Sequence, residues 1–294
     1  MKVEKNRSMW PQRYWDIVSE LFWVPSYLGL KSIPQRYWIK SKTTVSVPRE
    51  MTNPSGPLYY RLRSGDEYWD FIRRQEETFN HVFNLAFSIA PGDVVAKIFG
   101  ALGGAQKAHN YQVPKETMGE RYPWMGTANV TTPDAYFIAN DSVLAVEIKF
   151  NASTSLDQLA KYIVLIASEE TYGKDCSELF LFYIFPSHAS RKFESQTSIA
   201  PDVLCEDHLE ILRNSTKNDL IREQFISNNH AIRRTLSRLK IVCITWQMLM
   251  VELTAYCECL GDSPGDRCLS RLLLGLASEI QGHPFSGVTV DGSA

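Results

Sequence analysis

The 294-residue chain contains no run approaching 18 uninterrupted apolar residues; its longest apolar stretches, such as 179–185, are strand-sized. A membrane-spanning helix is therefore not expected. The first ten residues, MKVEKNRSMW, carry basic side chains but no apolar core and no small-residue cleavage site, so no secretory signal is read there. Six cysteines, at positions 176, 205, 243, 257, 259 and 268, are too few to staple a chain of this size, and reduced thiols in a cytoplasmic protein are the expectation. Cys257, Cys259 and Cys268 lack a fourth ligand at zinc-finger spacing. The glycine cluster at 100–104 lacks the Lys-Ser/Thr of a phosphate-binding loop and reads as a helix end. The echo of QRYW at 12–15 and 35–38 has no shared flanking pattern and does not make a repeat.

What is present is an ordinary globular composition, 44% hydrophobic and 22% charged, sufficient to bury a core. The net charge of −2 is unevenly spread. Residues 1–63 hold eleven Lys and Arg against four acids, +7, which leaves −9 for the remainder. A basic, aromatic-rich arm on an acidic body suits a polyanion partner, although a solvated arm or one that covers the core has the same composition. Three segments are expected: an N-terminal extension over 1–64, a core over 65–260, and a C-terminal helix and tail over 261–294.

Apolar spacing predicts helix over 65–102 with a break at Pro91-Gly92, then irregular chain to 130. Two apolar runs flank Asn140-Asp141, a pair suited to a two-residue hairpin turn. A helix follows over 155–168 with Ser155 as its N-cap, then a buried strand over 179–185 closed by Pro186. Helices are expected over 206–214, 219–239, 247–259 and 266–280, with a short strand over 240–245. A few central strands among helices make an α/β or α+β domain.

The hairpin sets a register. With Asn140 and Asp141 as loop residues, Ala139 faces Ser142, and Asp134 therefore faces Glu147. Two carboxylates in direct cross-strand opposition repel unless a cation lies between them. Glu147 and Lys149, two residues apart, project from one face of their strand. Two acids and an ammonium around one point are what phosphodiester hydrolysis needs: a cation to neutralise the phosphate and acidify a water, and an ammonium to position that water or stabilise developing charge. On the next helix, Gln158 and Tyr162 share a face at i and i+4.

Pro133-Asp134 with Glu147-Ile148-Lys149 resembles the signature of the PD-(D/E)xK nuclease superfamily, and Gln158-x-x-x-Tyr162 is similar to the Q-x-x-x-Y helix of its recombination-exonuclease branch. The resemblance covers about 68–186 and extends loosely to 240–246. It implies an α/β restriction-endonuclease-like core, a short mixed β-sheet flanked by helices, with an N-terminal extension and C-terminal helices. It implies Mg²⁺, with Mn²⁺ able to substitute, held by Asp134, Glu147 and the Ile148 carbonyl. Lys149 would orient or activate the water, Gln158 and Tyr162 would contact substrate or tune the site, and in-line attack would leave 5′-phosphate ends. An acid from the first core helix is also implied: Glu76 and Glu77 are the candidates, Glu77 favoured, against pairing with Arg73 or Arg74 on the surface. The expected partner is DNA, in defence, restriction or repair. A separate ATPase or helicase subunit would supply the nucleotide-binding loop that the chain lacks, and a homo-oligomer is compatible with the sequence. The rival reading is a catalytically silent module of the same fold that binds nucleic acid or a protein.

Overall fold

The computed structural model describes residues 76–103, 109–116, 118–125, 130–171, 176–283 and 285–288. The basic arm over 1–64 lies outside the described residues, as does the start of the first expected helix. Elements are numbered among the described residues.

Four strands form one sheet in the order β1 (Ala135–Ile138), β2 (Ser142–Ile148), β3 (Glu178–Phe185), β4 (Leu239–Thr245). β1 and β2 are antiparallel, while β2–β3 and β3–β4 are parallel, so the sheet is mixed. The hairpin register is the expected one: Ala135 faces Val146, Ile138 faces Val143, and the Ala139 N–H donates to the Ser142 carbonyl at 2.9 Å. β2 is buried along its whole length, as suits a strand covered on both faces.

The pleat sorts the strand residues into two cores. Phe137, Leu144, Val146, Ile148, Phe180, Phe182 and Ile184 face α1 (Glu76–Ile89), α2 (Gly92–Gly103), α9 (Trp246–Glu258) and α10 (Pro264–Gly282). Tyr136, Val143, Ala145, Leu181, Tyr183 and Phe185 face the other way. That face is covered by α4 (Leu156–Thr171), α5 (Ala189–Thr197), α6 (Leu209–Ser215), α7 (Asp219–Ser227) and α8 (Asn229–Arg238); the single-turn α3 (Met118–Arg121) precedes the hairpin. The result is an α/β domain with a sheet between two helical layers. Gly103, the last residue of α2, sits where a Cβ would come within 2.6 Å of the Phe182 ring, so the glycine cluster ends the helix against the sheet.

Three expectations are corrected. α5 was not anticipated. Its sequence, ASRKFESQT, buries only Ala189, Phe193 and Thr197, and its N-cap His188 makes no side-chain capping bond, so neither periodicity nor a cap marks it. The single helix expected over 219–239 is two, broken at Asn228, whose amide donates to the Gln224 side chain at 2.5 Å and whose N–H bonds the Gln224 carbonyl. α4 runs three residues beyond its expected end, to Thr171, because Glu169 and Glu170, polar in sequence, are held by arginines.

Among the described residues no single helix is long and apolar enough to cross a membrane. The one pair that would be so together, Phe79–Ile89 with Gly92–Gly103, meets at 118°. All six cysteines are free thiols.

Candidate active site at the end of the hairpin

Pro133 is buried immediately before β1 and has no N–H to satisfy there. Asp134 follows, one step beyond the last β1–β2 pair, and by continuation of the register it faces Glu147. Glu147 in turn is paired with Tyr183 on β3, and Tyr183 with Cys243 on β4. A row therefore crosses one face of the sheet, from Asp134 through Glu147 and Tyr183 to Cys243, with α4 packed above it.

The Asp134 carboxylate is held from two directions. Its Oδ2 accepts the Ile148 N–H at 2.6 Å, and its Oδ1 accepts from the Asn80 amide of α1. Asn84, one turn further along α1, donates to the Asp134 main-chain carbonyl and, at 2.9 Å, to that of Asn80. The Ile148 carbonyl is oriented by its peptide. The Lys149 N–H donates to Ile184 on β3 at 2.9 Å, and in a planar trans peptide the preceding carbonyl points the opposite way, toward the β1 edge where Asp134 sits.

Glu147 is 3% exposed and Lys149 5%. The Lys149 ammonium lies 2.5 Å from Glu147 Oε1, and the Gln158 amide donates to that same oxygen at 2.6 Å. Oε2 accepts from the Tyr162 hydroxyl. Gln158 also donates to the Tyr162 oxygen at 3.1 Å and accepts from Thr154 at 3.2 Å. Ser155 caps α4 by accepting the Gln158 N–H at 3.2 Å, which fixes the phase of the helix that presents both side chains. Behind Lys149, its carbonyl accepts the Trp246 indole N–H at 3.1 Å, and Phe150 stacks between Trp246 and His283 with ring centroids at 4.7 and 3.7 Å.

Burial, followed by the charges of Glu147 and Asp134, pushes the Tyr162 phenol well above its ordinary range. It is thus a fixed proton donor to Glu147. Tyr183 is raised well above its usual value, by burial first and Glu147 second, and burial pushes the Cys243 thiol up to about 12. The floor of the row, Tyr183 and Cys243, is therefore neutral.

Comparison with protein-family models, with curated proteins and with solved structures yields no match to this chain.

The structure thus brings together Asp134, Glu147, Ile148, Lys149, Gln158 and Tyr162. Glu76 and Glu77 lie in α1, but their side chains are outside the described residues. The described α1 side chains that reach Asp134 are Asn80 and Asn84, which sequence reasoning passed over because two uncharged amides fifty residues away carry no motif. Among the described residues no three His, Cys, Asp or Glu side chains converge as a metal-holding group. The available donors are two carboxylates and a main-chain carbonyl, all hard oxygens. Among these described side chains, one formal negative charge remains when Lys149 is set against the two acids. A cation that takes one or two carboxylates and completes its shell with water and phosphate fits this set.

Several charged side chains elsewhere among the described residues have partners of their own. Arg234 and Arg238 pair with the buried Glu170, Arg233 with Glu206 at 3.2 Å, and Lys240 lies 5.5 Å over the Phe180 ring. Arg121 forks onto both Glu169 oxygens at 2.6 and 2.7 Å. At the opposite end of the sheet, a cavity of about 380 Å³ beside the hairpin turn is lined by His109, Gln112 and Asp141 among others. There His109 bridges Glu178 at 2.6 Å and Asp141 at 3.3 Å, a junction that the sequence did not signal.

Proposed function

We propose that the chain is a divalent-metal-dependent nuclease of the PD-(D/E)xK kind with a restriction-endonuclease-like core, hydrolysing DNA phosphodiester bonds. The observation that carries this reading is the opposition of Asp134 and Glu147 across the hairpin end, with the Lys149 ammonium on the Glu147 carboxylate. A divalent cation bound there would neutralise phosphate charge and lower the pKa of a water molecule. Asp134, Glu147 and the Ile148 carbonyl would hold it. Lys149 would orient the attacking water and stabilise charge as it develops. Gln158 and Tyr162 keep the Glu147 carboxylate in a single orientation, and their polar ends border the place where a phosphodiester would lie. DNA is the proposed partner, with a separate ATPase or helicase subunit supplying any nucleotide-driven movement.

Purified protein incubated with circular and linear DNA, each with and without Mn²⁺, is expected to cleave only with the ion. Lys149→Ala is expected to lower the rate at least about 100-fold, the range for losing a preorganised charge-stabilising group. Cleavage by Lys149→Ala at the wild-type rate, or no cleavage of either DNA by wild type, would remove the catalytic claim. One observation favours the second reading, a silent module of the same architecture: both Glu147 oxygens are already engaged by Gln158, Lys149 and Tyr162. Titration of Mn²⁺ into wild type and Asp134→Asn separates the two, since a silent module takes up no ion that depends on Asp134.

A further inference from the structure

We propose that the Asn80 carboxamide oxygen is a fourth oxygen ligand of the same cation, beside Asp134, Glu147 and the Ile148 carbonyl, which makes α1 contribute a neutral donor to the site. This rests on the metal-dependent reading above and adds a residue to it. Asn80 Nδ2 grips Asp134 Oδ1, while the other end of the same amide, Oδ1, is buried and has no hydrogen-bond partner among the described residues. A buried acceptor left unsatisfied costs about 1–3 kcal/mol, so its retention calls for an explanation. The two amide heteroatoms share one carbon, so the orphaned oxygen lies an amide's width from the nitrogen that holds the carboxylate expected to bind the ion. Amide carbonyls are ordinary ligands for hard divalent cations. The backbone that carries it is also held in place: Asn84, at i+4, bonds both the Asn80 and the Asp134 main-chain carbonyls, tying this turn of α1 to the start of β1.

The charge count gives the neutral donor a consequence. With Asp134 and Glu147 against Lys149, the described side chains sum to −1, and a neutral Asn80 leaves that sum unchanged. A divalent cation would bring the sum over these described groups to +1, which suits a phosphodiester anion.

The substitution Asn80→Asp distinguishes a ligand from a mere hydrogen-bond donor. It keeps the oxygen, removes the N–H that holds Asp134, and sets a second carboxylate beside the first. If Asn80 serves only as a donor to Asp134, the aspartate should harm ion binding at least as much as alanine does, because two unbridged carboxylates repel. If Asn80 is a ligand, the aspartate should rescue. Mn²⁺ affinity is measured calorimetrically on the full chain for wild type, Asp134→Asn, Asn80→Ala and Asn80→Asp, together with the rise in Tm that Mn²⁺ produces over EDTA. Asn80→Ala is expected to weaken Mn²⁺ about 10-fold or more, within the range for losing a supporting group at a metal site. Asn80→Asp is expected to bind within about threefold of wild type or tighter, with a lower Tm in EDTA and a larger rise with Mn²⁺. Asn80→Asp binding as weakly as Asn80→Ala, or Asn80→Ala binding like wild type, overturns the inference. If Asp134→Asn abolishes binding while the Asn80 variants leave it unchanged, the metal site stands and only the role of Asn80 falls. If wild type itself takes up no Mn²⁺, both fall together.

Discussion

Tyr162 shows how much one hydroxyl does at this site. It is almost fully buried, stays protonated, and donates to a carboxylate that is itself 3% exposed. Tyr162→Phe keeps the ring and removes the donor, leaving Glu147 Oε2 short of a partner. The expected cost is about 1–3 kcal/mol, read as a lower urea midpoint at unchanged slope. The Asp134–Glu147 opposition, Lys149, and the Gln158–Tyr162 pair were all legible in the sequence, for one reason. A two-residue turn fixes a register, the strand period of two fixes a face, and the helical i, i+4 spacing fixes another. Asn80 and Asn84 were not legible. They reach Asp134 across fifty or more residues of chain, and an uncharged amide on an amphipathic helix leaves no trace in charge or period. Thr154 is another such case: it lies in a connecting loop, and its N–H meets Gln196, 42 residues on, only once the chain has folded.

At the scale of elements, the polar end of α4 is anchored by buried ion pairs rather than by apolar packing. Arg121, in α3, makes a two-bond fork to Glu169, whose side chain is 2% exposed, and Tyr122 donates to the same carboxylate. The Arg121 guanidinium is held above its usual value, chiefly by its hydrogen bonds to Glu169, so the charge is permanent. Glu169→Ala would leave that charge with only the exposed Glu116, at 3.5 Å, among the described acids and is expected to cost up to about 3 kcal/mol in chemical denaturation, whereas the double replacement Arg121→Met with Glu169→Leu should recover most of the loss. These pairs also explain why the α4 boundary was misread. Two successive glutamates look like a helix running out into solvent, and only the tertiary partners Arg121, Arg234 and Arg238 reverse that appearance. The same holds for α5, whose burial rests chiefly on Phe193 packed against Tyr183, with ring centroids at 5.0 Å.

For the whole molecule, the layer of helices opposite the site decides whether the sheet is covered at all. α10 contributes Leu273, Leu276, Ala277 and Ile280 to the core that also holds Phe79, Phe150 and Trp246. At roughly 1.5–3 kcal/mol for each large side chain, its removal would cost a large share of the 5–15 kcal/mol that typically holds a domain together. A chain ending before Pro264 is therefore expected to lose its cooperative thermal transition and its near-ultraviolet dichroism, and retention of both would show that the sheet needs no cover there. The layered α/β architecture followed from the alternation of strand-sized and helix-sized apolar runs. Which helices cover which face did not, since that depends on crossovers rather than on any local pattern.

The direction of the strands limits where this chain can change length. β3 and β4 are parallel, so the chain leaving one must travel the length of the sheet before entering the other, and it does so through some fifty residues of short helices and turns. The helices of that excursion cover the α4 face and supply Phe193, Leu212, Phe225 and Leu236 to its core, so length can change in the turns between them without shifting either carboxylate. The Asn140-Asp141 turn has no such freedom: a one-residue slip there would carry Asp134 to the opposite face of the sheet.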